Sequence, residues 1–589
     1  MDSDSYEPLQ RHLRHWSGMV RRSGFAAVGL VALVALVGGL SAIAVSLFEE
    51  GIAESLHLGF TALPQWFQGH GLPGWSAYLL YPALLGLAVA GVKRLVPAPD
   101  RHHSIPLVII ALLKRDGKIR PVSTFMKTLA SMITLGAGGS LGREGPVVLL
   151  GSGLGSALGQ VLRLPPDWIN TLVAAGAAAA ISTAFQAPIT GALFAMELIL
   201  SQFSSRSFAL VALASVTASQ VARALVGAPP FPIPGYQLGS SWEIPVYLAL
   251  GLVTALVSRL YITVLYGSES LGAKIKGLPA WVKPALGGLL FGAVALILPR
   301  TLGGGYDTIQ EALLGNLPLT LLLVLLAGKL LTIGLTSGSG WPGGVFTPAL
   351  FLGSMTGGAF GLLAQRFFPD LITQPGAYAV VGMAAMIAGA THAPLTAMTL
   401  IFEITRDYRI ALPAMLACGV AAVFSQRISP YSVDTLHLPE QGVLLPWQVQ
   451  DLRGVRVHDA MSGAVHTVQT DMELSEVIAV MQRFRHGGFP VVDADGRLAG
   501  MVTLRDVREV PLERRLATSV ESVMSRNLVV ITPEQTLADA ALLMAKHKVG
   551  RLPVVDPADH GKLLGLVSRS DVLRAYPSEA PDDVPVHAE

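Results

Sequence analysis

Long apolar runs separated by short polar or glycine-rich interruptions fill the chain to about residue 440, after which short amphipathic stretches and alternating apolar positions take over. A bilayer crossing needs about 20 apolar residues, and Phe25 to Leu47, Phe208 to Val226, Ile244 to Leu265 and Leu317 to Leu335 meet that length. Ile133 to Gly145, Val147 to Leu162, Val345 to Phe368 and Met383 to Phe402 are instead broken by Gly, Pro and single charges. Inside a bilayer, irregular backbone survives only where protein buries it or where it lines a wet cavity, so these breaks predict a transport core rather than a plain helical anchor.

Two repeats organise the chain. Ala187-Pro188-Ile189-Thr190 with Glu197 matches Ala393-Pro394-Leu395-Thr396 with Glu403, and Pro146 to Ser152 matches Pro348 to Ser354, roughly 200 residues apart in both cases. After the membrane region, Met461-Ser462, Phe489 to Asp493 and Gly500 to Asp506 recur as Met524-Ser525, Leu552 to Asp556 and Gly565 to Asp571. Amphipathic helices at Leu474 to Gln482 and Leu537 to Ala545 precede Pro-Val-Val strands in each tail copy, which predicts a pair of small α/β modules. The expected fold is a polytopic α-helical membrane protein with two internally repeated halves and broken helices, followed by the α/β pair. An odd number of crossings between equivalent points would make the halves inverted. The expected divisions are a cytoplasmic N-terminal segment 1–24, a membrane domain 25–440, a linker 441–455, modules 456–511 and 512–576, and a disordered tail 577–589.

Composition agrees: 51% apolar and 14% charged residues are far from a soluble enzyme's balance, and the charges concentrate after Asp451. Lys and Arg are dispersed and no basic patch alternates with aromatics, which argues against nucleic acid. The single cysteine, Cys418, precludes an intrachain disulfide and a cysteine-based metal cluster; no metal site is expected. Arg11, Arg14, Arg21 and Arg22 precede an apolar run too long for a signal peptide, which places the N-terminus in the cytoplasm. The charged C-terminal region is placed there as well, and an even number of crossings follows.

Candidate chemistry lies in the breaks. Gly139 to Pro146 sets Arg143 and Glu144 among glycines between apolar helices, and an ionisable residue at membrane depth is by default functional. The glycines let backbone N–H groups approach a ligand, and the run from Gly145 to Leu150 presents a helix N-terminus, which favours an anion. Gly338 to Pro348 repeats that plan in the second half.

Through Gly142-Arg143-Glu144-Gly145-Pro146 and Gly343-Gly344-Val345-Phe346-Thr347-Pro348, the sequence resembles the CLC family of chloride channels and proton-coupled chloride transporters, over roughly Phe25 to Leu436. The tail resembles a pair of CBS domains. The resemblance implies that Glu144 is a gating glutamate, occupying an anion site when ionised and swinging away when protonated. It implies anion binding at the N–H groups of Val345 and Phe346, with Gly145 beside them, and closure from the inside by Tyr431 in Pro430-Tyr431-Ser432. It also implies a homodimer with one pore per subunit and chloride or a similar small anion as cargo, with no cofactor required.

Two departures stand out. The family's Gly-Ser-Gly-Ile-Pro loop falls at His102-His103-Ser104-Ile105-Pro106, so His103 replaces the serine expected at the central anion and Ser104 follows it. The histidine pair either adds pH sensitivity or is simply two histidines in a solvated loop mouth. Exchangers of the family commonly carry Glu-Glu where this chain has Glu197-Leu198, which points to a channel or uncoupled conductor, with an H+/Cl- antiporter as the alternative. Glu197 and Glu403 are expected to be structural. In the tail, Thr503 with Asp506 and Ser568 with Asp571 stand where CBS pairs hold an adenine nucleotide; the same pattern is an ordinary helix cap.

An enzyme is not expected. Gly138-Gly139-Ser140-Leu141-Gly142 matches the G-x-S-x-G hydrolase elbow, but Thr124 to Leu135 before it reads as helix where that elbow needs a strand. A CBS-linked divalent-cation transporter is a more distant alternative; cation pores want rings of carboxylates or carbonyls, and the breaks here offer helix N-termini and few acids.

Overall fold

The computed structural model describes residues 7–97, 100, 103–201, 203–227, 236, 240–275, 277–372, 374–439, 443, 452–484, 486–511, 514–515, 517–547 and 549–575, with only the helical path of 7–27. The expectations placed on His102, on the tail 577–589 and on most of the linker 441–455 lie outside these residues. The chain divides into two compact units, Met1–Leu436 and His437–Glu589.

In the first unit the helices run α1 (Glu7–His57), α2 (Leu63–Gly69), α3 (Trp75–Arg94), α4 (Ser104–Lys114), α5 (Pro121–Gly136), α6 (Glu144–Val161), α7 (Pro166–Phe185), α8 (Pro188–Phe194) and α9 (Ser205–Val226). The second half repeats the order with α10 (Ile244–Lys274), α11 (Lys283–Ile297), α12 (Tyr306–Leu313), α13 (Leu319–Gly338), α14 (Phe346–Phe367), α15 (Pro375–Thr391), α16 (Pro394–Thr405) and α17 (Ala411–Ile428). Among the described residues, eight helices are long and apolar enough to cross a membrane. Three of these, α3, α7 and α17, escape the apolar-run reading: Pro82 interrupts the first, the second is rich in alanine with Ser182 and Thr183 near its end, and the third carries Pro413 and ends in the polar Ser425, Gln426 and Arg427. No helix boundary falls at residue 25, since α1 is continuous from Glu7.

The Ala-Pro repeats now have a physical cause. Gln186 and His392 take left-handed backbone, at φ 51° and 58°, and close α7 and α15. Pro188 and Pro394 then open the next helices from their first turn, where a missing N–H costs nothing.

Duplication is equally plain in the packing. Gly151 of α6 and Gly176 of α7 lie so close that a Cβ on either would strike the other's carbonyl oxygen, and Gly353 of α14 meets Gly382 of α15 in the same way. Such contact lets helix backbones approach closely where lipid supplies no hydrophobic drive between helices. Glu197 accepts from the N–H groups of Leu395 (3.1 Å) and Thr396 (2.8 Å) at the start of α16. Glu403 accepts from those of Ile189 (2.8 Å) and Thr190 (2.7 Å) at the start of α8. Each half therefore caps a helix of the other. Lys127 of α5 and Lys329 of α13 are both buried; Lys127 donates to the carbonyl of Asp100 at 3.1 Å, and Lys329 to those of Thr301 (3.0 Å) and Gly303 (2.6 Å).

The second unit contains a three-stranded sheet in the order β1 (Val468–Gln469), β2 (Gly488–Val492), β3 (Leu498–Thr503), and a hairpin of β4 (Arg551–Val555) with β5 (Leu563–Ser568). The sequence repeat divides at residues 511 and 512, but the packed cores cross that division. Ser462 bridges to Leu566 on β5, and Leu452 and Val457 join the core of the second module. Ser525 bridges to Met501 on β3, and Val520 and Met524 join the core of the first. The physical reason is that each short sheet leaves an edge and an apolar face, and the other module's leading segment covers them. Arg497 also grips Asp559 with two hydrogen bonds (3.0 and 2.6 Å), and that guanidinium holds the Asp559 carboxyl below the usual carboxylate range.

Adding a methyl group at the α6–α7 crossing tests this packing. Gly151→Ala, or Gly353→Ala in the second half, is expected to cost about 1–3 kcal/mol by overpacking and to lower the temperature at which detergent-solubilised protein loses its monodisperse gel-filtration peak.

Candidate functional site

The helices α4, α6 and α14 begin at one place. A Cβ placed on Gly145 would lie 3.1 Å from the Gly344 Cα and 3.6 Å from the Ser104 Cβ, so the first turn of α6 touches both that of α4 and the loop that enters α14. First-turn N–H groups have no partner within their own helix, and the helix dipoles add positive potential at those ends. Their convergence suits an anion.

The loops are held together by an antiparallel bridge between Gly142 and Gly344. Gly142 N–H donates to the Gly344 carbonyl at 2.7 Å, and Gly344 N–H donates back to the Gly142 carbonyl at 2.6 Å. Because a trans peptide sets C=O and N–H on opposite sides, the bond into Gly344 O turns the Val345 N–H the other way. Tyr261 of α10 donates its hydroxyl to the Val345 carbonyl at 2.7 Å and so orients the Phe346 N–H likewise. Val345 and Phe346 are both buried.

Glu144 is fully buried as the first residue of α6. Its carboxylate crosses to the other half and sits on the start of α14: Oε2 accepts the Thr347 N–H at 3.1 Å, while Oε1 accepts the Thr347 hydroxyl at 2.5 Å and the Tyr306 hydroxyl at 3.1 Å. A Cβ on Gly142 would come within 2.6 Å of Oε2, so a side chain there would push the carboxylate from this seat. Arg143 does not pair with its neighbour. Its guanidinium pairs with Glu49 of α1 at 2.9 Å, donates to the Ala184 carbonyl at 3.0 Å, and lies 4.6 Å from the centre of the Tyr306 ring. A cavity of ≈ 760 Å³ opens onto this cluster and is lined by Glu49, His57, Arg143, Arg300, Tyr306 and Thr347 among others.

The remaining expected residues fall into two groups. Ser104, the first residue of α4, lies at the junction, but the ring of His103 pairs with Glu269 of α10 (Nε2 to Oε2, 3.2 Å) and stands edge-on to Tyr266, with ring centres 5.7 Å apart. Tyr266 donates its hydroxyl to the carbonyl of Val433, whose N–H donates to Ala390 at 2.9 Å. That fixes the segment carrying Tyr431, whose own N–H donates to Ser429 Oγ at 3.3 Å. His103 and the Tyr431 segment are thus tied through Tyr266. Leu198 is buried beside the capping Glu197 and brings no carboxylate.

In the CBS-like unit, Thr503 N–H and hydroxyl both donate to Asp506 Oδ2 (2.8 and 2.7 Å), and Ser568 repeats this with Asp571 (2.8 and 2.5 Å). Both pairs are capping boxes at strand-to-helix turns.

Sequence reasoning missed Thr347, Tyr306, Tyr261 and Glu269. Thr347 stood inside the Gly343–Pro348 motif, and Tyr306 follows three consecutive glycines, a signal for close backbone approach. Tyr261 and Glu269 lie in an apolar helix with nothing local to mark them.

Comparison with known proteins agrees with this architecture. Residues 83–426 match the family model described as voltage gated chloride channel, and residues 457–513 and 520–578 match the CBS domain. The chain is 31% identical over 608 residues to chloride channel protein CLC-e of Arabidopsis thaliana, covering 89% of this chain and 84% of that one. It is 32% identical over 415 residues to the H(+)/Cl(-) exchange transporter ClcA of Salmonella arizonae, covering 68% and 86%. The fold is similar to that of a eukaryotic CLC transporter (TM-score 0.68, 21% identity, 93% of this chain and 98% of that chain). It is also similar to that of a slow cyanobacterial Cl-/H+ antiporter (TM-score 0.64, 24% identity, 70% and 97%). The two motifs joined by the Gly142–Gly344 bridge, the duplicated broken helices and the family match together show that this chain is a multi-pass membrane protein of the voltage gated chloride channel family with a C-terminal CBS pair.

Proposed function

We propose that the first unit carries chloride or a similar small inorganic anion across the membrane, with Glu144 as the gate. The observation that carries this reading is the seat of the Glu144 carboxylate: a negatively charged group rests on the Thr347 N–H at the first turn of α14, where an anion would bind. Carboxylate and cargo then compete for one set of donors, and protonation of Glu144 releases the seat. Val345, Phe346, Gly145 and Ser104 provide the next donors inward, and Tyr431 with His103 stands at the inner end. Transport is proposed to be uncoupled, because Leu198 leaves no carboxylate at the place of the internal proton glutamate. A second reading, H+/Cl- exchange, is favoured by the 32% identity to proteins named as exchange transporters. The homodimeric state, the cytoplasmic placement of both termini and an adenine nucleotide at Thr503, Asp506, Ser568 and Asp571 belong to the same proposal. The recurrence of one hydroxyl–carboxylate pair at the equivalent turn of both modules supports the nucleotide.

Three measurements test these points. In liposomes, Glu144→Gln should make chloride flux independent of pH; a pH dependence like that of the unaltered chain rules out the gate. Under opposed chloride and proton gradients, uncoupled transport gives a reversal potential at the chloride equilibrium value that does not move with pH, whereas a pH-dependent reversal potential establishes exchange. Equilibrium dialysis of the full chain with ATP should show binding that Asp506→Ala and Asp571→Ala weaken at least tenfold, about 1.4 kcal/mol; absence of binding by the unaltered chain removes the nucleotide.

A further inference from the structure

We propose that the hydroxyls of Thr347 and Tyr306 form a latch that holds the Glu144 carboxylate in its seat and sets the pH at which the gate opens. This rests on the reading of Glu144 as the gate. Glu144 Oε1 and the two hydroxyl oxygens form a triangle: Thr347 Oγ1 lies 2.5 Å and Tyr306 Oη 3.1 Å from Oε1, and the hydroxyl oxygens are 3.0 Å from each other. Two hydroxyl protons serve these contacts. An ionised carboxylate is acceptor-only and takes both. A protonated carboxyl holds the same hydroxyls only through neutral hydrogen bonds, about half as strong as those to a charged acceptor. The latch therefore favours the ionised, seated form.

Its placement suits that role. Tyr306 and Thr347 line the ≈ 760 Å³ cavity, and the fully buried carboxylate lies behind them, so an anion or proton arriving from the cavity meets the hydroxyls first. The phenol is itself held by the Arg143 guanidinium over its ring, and that guanidinium is held by Glu49. The charged and titratable groups facing Glu144 are Arg143 with its partner Glu49 on α1, Tyr306 on α12 and Tyr261 on α10. Arg143 is committed to Glu49, to the Ala184 carbonyl and to the ring. Tyr261 is committed to the Val345 carbonyl. Among the described residues this leaves the Thr347 and Tyr306 hydroxyls as the side-chain donors seen on the carboxylate. When the carboxylate leaves, the same hydroxyls with the Thr347 N–H offer three donors to the incoming anion.

The test is the pH profile of chloride flux in liposomes containing the full chain. Loss of one charge-assisted hydrogen bond should move the half-maximal pH upward by about one unit, a tenfold change in proton concentration, because release then needs fewer protons. Thr347→Val and Tyr306→Phe are expected to show that shift, and Thr347→Ser, which keeps the hydroxyl, to keep the original midpoint. Tyr306→Phe removes one oxygen from an intact ring, so it carries the test if Thr347→Val does not fold. An unmoved or lowered midpoint in folded Tyr306→Phe protein overturns the latch while leaving the gate intact. A pH-dependent Glu144→Gln variant overturns the gate itself, and the latch with it.

Discussion

Two backbone hydrogen bonds between Gly142 and Gly344, residues at equivalent positions in the two halves, bring the whole membrane unit to a common point. An antiparallel pair of single residues has a local two-fold axis, so pairing a residue with its own counterpart places that axis between the halves. The starts of α6 and α14 are then opposed across it. A Cβ at position 344 would lie 2.7 Å from the Gly145 nitrogen, so that loop excludes a side chain, and one at position 142 would push the Glu144 carboxylate aside. The seat of Glu144 follows directly, since the residue leaves one half and finds its donors on the other.

Elsewhere the same logic of exchange satisfies groups that a single half would leave exposed. Helix ends inside a bilayer have no water to complete them, and each unsatisfied backbone group there costs several kcal/mol. Glu197 and Glu403 answer this by capping α16 and α8 across the interface between halves. The buried side-chain amino groups of Lys127 and Lys329 find carbonyls in the loops ahead of α4 and α12. The CBS pair reaches the same solution in water, where Met461-Ser462 and Met524-Ser525 complete the opposite module. Half of such a structure is not a smaller version of the whole.

Charge placement around the site follows from competition for partners. Arg143 and Glu144 are adjacent in sequence and of opposite sign, yet α1 supplies Glu49 to the arginine and α14 supplies an N–H and a hydroxyl to the glutamate. The glutamate is left with hydrogen bonds from neutral donors and no ion pair of its own. A side chain held in that way can be released by a proton or displaced by another anion, whereas a buried ion pair resists both.

Much of this was legible without coordinates. Apolar runs, Gly and Pro interruptions and the two repeats determined a duplicated membrane core with broken helices and an α/β tail, because these depend on local backbone preference and on the bilayer's demand for apolar length. Glu144 could be singled out for the same reason, because a charge among glycines beside a helix start carries its meaning locally; Val345 and Phe346 were named through the family resemblance of the Gly343–Pro348 motif. The partners were decided by tertiary structure alone. Arg143 chooses Glu49, His103 turns to Glu269, and Tyr306 and Thr347 converge on Glu144 only once α1, α10, α12 and α14 have packed. Hydrogen bonds act over about 3 Å and between residues far apart in the chain, and no periodicity or motif spacing encodes which of many buried polar groups a fold will bring to that distance.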